Sequence, residues 1–185
     1  MGGGVSSPPG SGARPVLVCG NAACLPDDLA AARAIYPTAP AIAVNGACII
    51  VPALAIFSLH PERLHSAGWI RRQRRFGHAF TVHASGDLAV RAACPWVDAW
   101  WHFPGGGGSA WGARKLAVRL GFDVVVLCGS PMVPGPYVGN HSLGGFMDRA
   151  DVVDHLLSQI VADAAWHAGA VSMSGATRDL LGGPC

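Results

Sequence analysis

The densest run of chemistry-bearing side chains is "YVGNHS", which places Tyr137, Asn140, His141 and Ser142 within six residues. A phenol, an amide, an imidazole and a hydroxyl grouped this way are parts of a general acid–base site, and histidine is the side chain that exchanges a proton near neutral pH. The run lies in a Gly/Pro-rich stretch from Ser130 to about Arg149, just past an apolar segment closing at Leu127. A structureless connection of ~20 residues is uncommon in a compact domain unless it is functional. A loop histidine can equally be no more than solvated, and the chain has seven others.

Three further stretches offer backbone rather than side-chain chemistry. In "VCGNAACLPDDL" an apolar strand pattern, expected at the amino edge of the sheet, runs into Gly20 and Asn21 and then a helical pattern, so that a phosphate could sit on amides at the helix start. Asp27 and Asp28, in the first helical turn, would satisfy the same dipole by themselves. In "AVNGA" a buried strand ends at Asn45, whose side chain tolerates left-handed turns and offers both a donor and an acceptor to a base or sugar edge. In "FPGGGGSAWGARK" glycines 105–108 permit close backbone approach, and Ser109 falls at the expected N-cap of a helix over 110–120. Neither the GxGxxG dinucleotide fingerprint nor the GxxxxGK[ST] phosphate loop is present: Gly20 is followed by Asn-Ala-Ala, and the sole lysine, Lys115, lies six residues beyond Ser109.

These candidates need elements to position them. From Val16 onward short β-branched runs alternate with helix-like segments, the pattern of a parallel sheet covered by helices on both faces. Strands are predicted in "PVLVCG", "APAIAVNG", "ALAIFSL", "HAFTVHA", "VDAWWHF", residues 123–128 and "AVSMSG". Helices are predicted in "LPDDLAAARAIY", "PERLHSAGWIRRQRRFG", residues 110–120 and "DVVDHLLSQIVADAAWHAG". The fold class is α/β, a three-layer sandwich with a mostly parallel central sheet. Residues 1–14, rich in Gly, Ser and Pro, read as a disordered tail, and 15–185 as a single domain.

With 51% hydrophobic residues the chain can bury a sizeable core. Only 13% of residues are charged and the net charge is +2, which excludes a global field for nucleic acid or anionic membranes. The one dense basic patch, Arg71, Arg72, Arg74 and Arg75, reads as a solvated helix face, because no known nucleic-acid motif or aromatic stacking platform accompanies it. The cysteines at 19, 24, 48, 94, 128 and 185 show no CxxC and no zinc spacing; they read as reduced core thiols and point to the cytoplasm. The longest apolar stretch, "ACIIVPALAIFSL", is too short to span a bilayer.

Taken in order, "VLVCGNAACL", "AIAVNGA", "GGSAWGARKLAVRLGFDVVVLCGSPM" and the His141-Ser142 pair resemble the layout of the bacterial lipooligosaccharide sialyltransferases. The related domain that includes archaeal 6-hydroxymethylpterin diphosphokinases is similar over the same segments, as are small uncharacterised phage proteins, which match best in length. The resemblance spans about residues 15–182 but rests on short motifs. It implies a Rossmann-like transferase that binds a nucleotide or nucleotide-sugar between the first glycine turn and the Gly-Ser turn at Gly129. By that resemblance Gly20, Asn21 and Asn45 hold the nucleotide, Gly108 and Ser109 contact the donor, His141 is the base, and Tyr137 helps carry the leaving phosphate. Ala22 and Ala23 replace the family's Gly-Pro, Cys24 its serine, and Ala110 the glycine of its Ser-Gly, and the family's additional lid is missing.

The expected activity is therefore transfer of a sugar from a nucleotide-sugar to a hydroxyl acceptor, with no metal site among the named residues. Magnesium enters only in the alternative, a diphosphokinase-like enzyme, for which Asp123, Asp148 and Asp151 are the candidate carboxylates. Asp123 begins a strand at the opposite edge of the sheet. A non-catalytic nucleotide-binding accessory protein is the other alternative.

Overall fold

The computed structural model describes residues 12–66, 68–135 and 149–184. Seven strands form one sheet: β1 (Pro15–Cys19), β2 (Ala41–Val44), β3 (Ala55–Ser58), β4 (Thr81–Ala84), β5 (Ala99–Trp100), β6 (Val124–Cys128) and β7 (Ala170–Ser172). Their order is β5-β4-β3-β2-β1-β6-β7, and all six pairings are parallel. The fold is a Rossmann-like α/β sandwich. β1 lies between β2 and β6 and not at an edge, because the chain first adds strands on one side of β1 and then crosses back to add β6 and β7 on the other.

Alternate residues of each strand feed two cores. Leu17 and Cys19 pack with the helices α1 (Leu25–Ile35), α2 (Pro61–Ser66) and α3 (Trp69–Arg74) through Leu25, Ala32, Leu64, Trp69 and Ile70. Val16 and Val18 face the opposite layer, where Trp111, Leu116, Val153 and Ile160 come from α5 (Gly108–Arg119) and α6 (Ala150–Ala162). A strand buried on both faces has no polar side to alternate, which is why these segments read as continuous apolar runs.

The structure departs from the sequence expectations at four elements. The single basic helix over 61–77 is two short helices, α2 and α3, separated at Gly68, whose φ of 69° is the left-handed value that ends the helical path. The last predicted helix stops at Ala162 and is followed by a 3₁₀ turn over Ala164–Trp166. Two helices were not foreseen: α4 (Leu88–Ala93), capped by Asp87 Oδ1 on the Val90 amide at 3.0 Å, and α7 (Gly175–Leu181). Arg14, assigned to the tail, is held to the domain. Its carbonyl accepts from the Asp123 amide at 3.1 Å and its guanidinium lies 5.3 Å from the Phe122 ring centre.

Among the described residues no helix is long and apolar enough to cross a membrane. The described cysteines, 19, 24, 48, 94 and 128, are free thiols. Burial pushes the Cys48 thiol up to about 12, so it packs as a neutral hydrophobe.

Candidate functional site

β1 and β6 are neighbours whose following connections diverge, and in open parallel sheets ligands collect beyond the carboxyl ends at such a reversal. The two strand ends are tied together there. The Gly20 amide donates to the Cys128 carbonyl at 2.7 Å, and the Ala22 amide to the Gly129 carbonyl at 3.1 Å. A Cβ on Gly20 would overlap the Ser130 hydroxyl and the Gly129 carbonyl, so only glycine lets the two turns approach this closely.

Asp28 locks the arrangement from behind. Its Oδ2 accepts from the Gly129 amide at 2.8 Å and from the Ser174 hydroxyl at 2.7 Å. The sequence suggested that this carboxylate answers the dipole of its own helix; the structure spends it across the sheet on β6 and on the turn before α7. The Gly129 amide is therefore committed to Asp28. The Ser130 carbonyl accepts from the Thr177 hydroxyl of α7 at 2.7 Å, so the unforeseen helix holds the Gly-Ser turn in place.

The other wall is the start of α5. Ser109 is not its N-cap, as the sequence suggested. The cap is Gly107, with φ 91°, and Ser109 is the second helical residue. The helix starts early because Gln159 Oε1 of α6 takes the Gly107 amide at 2.7 Å, in place of a serine cap. A Cβ on Gly107 would come within 2.7 Å of Ile160, so much of the glycine run is required by the approach of α6. Lys115, too far into the helix for a phosphate loop, is 1% exposed; it pairs with Asp163 and donates to the Pro104 carbonyl at 2.5 Å.

Between these walls lies a cavity of about 710 Å³, lined among others by Gly20–Cys24, Asn45, Gly108–Ala110 and Gly129–Met132. Six of the sequence-predicted residues, Gly20, Asn21, Asn45, Gly108, Ser109 and Gly129, thus line one space. His141, Tyr137 and Ser142 lie outside the described residues.

The polar groups in the cavity are few and specific. Asn21 Oδ1 and Ser130 Oγ are buried there without a hydrogen-bond partner among the described residues, and Ser130 is 6% exposed. Buried polar atoms of this kind are normally satisfied, so each calls for a bound partner. Asn45, expected to offer donor and acceptor alike, has its oxygen engaged, so Nδ2 is the group it presents most freely. Its Oδ1 accepts from the Ser58 hydroxyl at 2.7 Å, whose oxygen in turn accepts from the His60 amide at 2.8 Å. His60 and Arg63, which the sequence reading missed, also line the cavity; the signal was "LHPER", which directly follows a strand end. Asn45 (φ 50°) and Met132 (φ 46°) are the two described non-glycine residues in left-handed backbone, and both line this cavity. Such strain clusters where structure is arranged for a ligand.

Two chemistries are disfavoured by the donor set. The Cys24 thiol lines the cavity, but burial raises its pKa, leaving a neutral group rather than a nucleophile at neutral pH; the hydrogen bond with Ser174 lowers it less. No Asp or Glu among the described residues lines the cavity, and those residues contain no cluster of three or more His, Cys, Asp or Glu side chains fit to hold a metal. Asp151 is exposed and paired with Arg149 at 2.5 Å, and Asp123 lies at the amino end of β6 against the Arg14 amide. Asp148 lies outside the described residues. The described residues lining the cavity offer none of the carboxylates that magnesium wants.

What remains is a cleft with no carboxylate among its described lining residues, bounded by the first turn of α5, which carries no acidic residue, and by the turn entering α1, with the Arg63 guanidinium in its wall. Comparison of the chain with protein-family models, with curated proteins and with solved structures finds no match.

Proposed function

We propose that the chain is a nucleotide-binding transferase of glycosyltransferase-like type, which moves a sugar from a nucleotide-sugar to a hydroxyl acceptor. The observation that carries this reading is the pairing of an uncompensated helix start, Gly108–Ala110, with the buried unpartnered hydroxyl of Ser130 across one cleft. A helix amino terminus favours an anion, and a phosphate supplies the acceptor atoms that free amides and a hydroxyl require. Asn45 Nδ2 donates to a carbonyl or hydroxyl of the nucleoside, and Arg63 balances phosphate charge at the rim. The resemblance to the sialyltransferases supports the same placement of Gly20, Asn21, Asn45, Gly108 and Ser109.

In the reaction, His141 takes the proton of the acceptor hydroxyl while that oxygen bonds to the sugar carbon and the bond from the carbon to the donor phosphate breaks. Tyr137 and the cleft amides receive the charge left on the departing phosphate.

A thermal-shift screen with CMP, CDP, UDP, GDP, ATP and their sugars, with and without magnesium, tests the binding step. A ligand at 100 times its dissociation constant should stabilise the fold by about 2.7 kcal/mol. No shift with any nucleotide refutes the reading, and a shift that demands magnesium favours the diphosphokinase-like alternative. His141→Ala should keep nucleotide affinity and lose turnover. A protein whose turnover survives that substitution does not use this base.

A further inference from the structure

We propose that the surface formed by α2 and α3 docks single-stranded nucleic acid. This goes beyond the nucleotide reading and does not rest on it.

The exposed face of α3 is built almost entirely of guanidinium groups. Trp69, Ile70 and Gln73 are buried against the core. At about 100° per residue, Arg74, Arg71, Arg75 and Arg72 then tile the remaining exposed arc of roughly 160° in that order. All four are exposed, and none of their guanidinium groups makes a hydrogen bond, ion pair or ring contact with the described residues. Every other cation among the described residues has a partner: Lys115 pairs with Asp163, Arg114 donates to the Ala168 carbonyl, and Arg119 lies over Trp166. Like charges three and four residues apart destabilise a helix, and the nearest acid in the chain, Glu62, is already beside His60 and Arg63. The patch therefore costs the fold stability that no described carboxylate returns. A row of phosphates would return it.

An aromatic accompanies the charge. The sequence offered no stacking platform beside these arginines; the structure supplies one exposed aromatic, Phe76, two residues past α3, which is 39% exposed, lies 6.2 Å from the tilted His78 ring and can stack a base on its face. The same geometry argues against a membrane surface. An interfacial helix needs a free apolar face, and the apolar face of α3 is consumed by the core. Arg63 of α2, which packs against α3, lines the cavity.

Fluorescence anisotropy with a short mixed-sequence, 5′-labelled single strand tests the proposal on the full chain. Binding should weaken with salt along a log–log slope of about −3, the value for some four neutralised phosphates on a single strand. R71Q/R72Q/R74Q/R75Q should abolish binding while raising the melting temperature slightly, as the like-charge repulsion is removed, and keeping any nucleotide-induced shift; R74Q/R75Q should remove about half of the slope. Phe76→Leu should weaken binding about five-fold or more and leave the slope unchanged. The proposal is overturned if the wild type does not bind at low salt, or if the quadruple variant binds with the same slope. It is equally overturned if duplex binds as tightly as single strand, or if phosphatidylserine vesicles bind and the strand does not. Since the nucleotide shift is read separately, failure of either idea leaves the other standing.

Discussion

Asp28 is 7% exposed, and its Oδ2 carries two hydrogen bonds that join three elements. Asp28→Ala leaves the Gly129 amide and the Ser174 hydroxyl unpaired and should cost about 3 kcal/mol in urea unfolding, whereas Asp28→Asn, which keeps an acceptor oxygen, should cost about 1. Equal losses in the two variants would mean that packing, not the hydrogen bonds, matters here. Lys115 and Asp163 form a buried pair that also receives the Trp111 indole N–H at 2.8 Å. Lys115→Met strands the carboxylate and should destabilise by about 3–5 kcal/mol. His83 is 7% exposed; its Nδ1 accepts from the Trp101 indole at 2.9 Å, which leaves Nε2–H to donate to the Thr81 hydroxyl at 2.7 Å. Burial lowers its pKa from 6.5, opposed by Asp98. The unfolded chain then takes up a proton before the folded one, so stability should be lost as pH falls below 6.5 and level off below the folded value. Urea titrations above and below 6.5 should show a smaller loss in His83→Gln than in the wild type.

At the scale of elements, the cleft depends on two turns that cannot carry side chains. Gly20→Ala should push the Ser130 turn away from β1, costing about 2 kcal/mol and removing the thermal response to nucleotides. A variant that retains the full response would show that the cleft does not need the contact between β1 and β6. Gln159→Ala frees the Gly107 amide and should destabilise by about 1 kcal/mol, read by the same unfolding curves. The strands were legible in the sequence because burial on both faces forces continuous β-branched runs, as in "VVVLC". Helix boundaries were less so. Gly68 sits inside an unbroken helical pattern and breaks it by a backbone conformation that composition does not announce. α4 was readable from Asp87 as a cap, while α7 is only about two turns long and its role lies in contacts with Ser130 and Pro131 far away in the chain.

At the scale of the molecule, sheet order sets both stability and site. β1 and β6 are buried interior strands, while β5, two residues long, forms one edge and β7 the other. Amide exchange should be slowest in β1, β2 and β6 and fastest in β5 and β7; early exchange of β1 would contradict this order. The short edge strand also offers little backbone for edge-to-edge pairing.

The sequence by itself determined the α/β class, the strands and the glycine turns, and it picked out six of the residues that line the cleft, because burial and backbone freedom leave local marks in residue type. Only the tertiary structure decided what those residues face. It gave the Gly129 amide to Asp28 and the Asn45 carbonyl to Ser58, and it gave much of the glycine run at 105–107 to α6. It also brought His60 and Arg63 to the rim of the cavity. Each of these depends on partners distant in the chain or on an orientation that spacing does not encode, and a strand order that reverses at β1 is what brings them together.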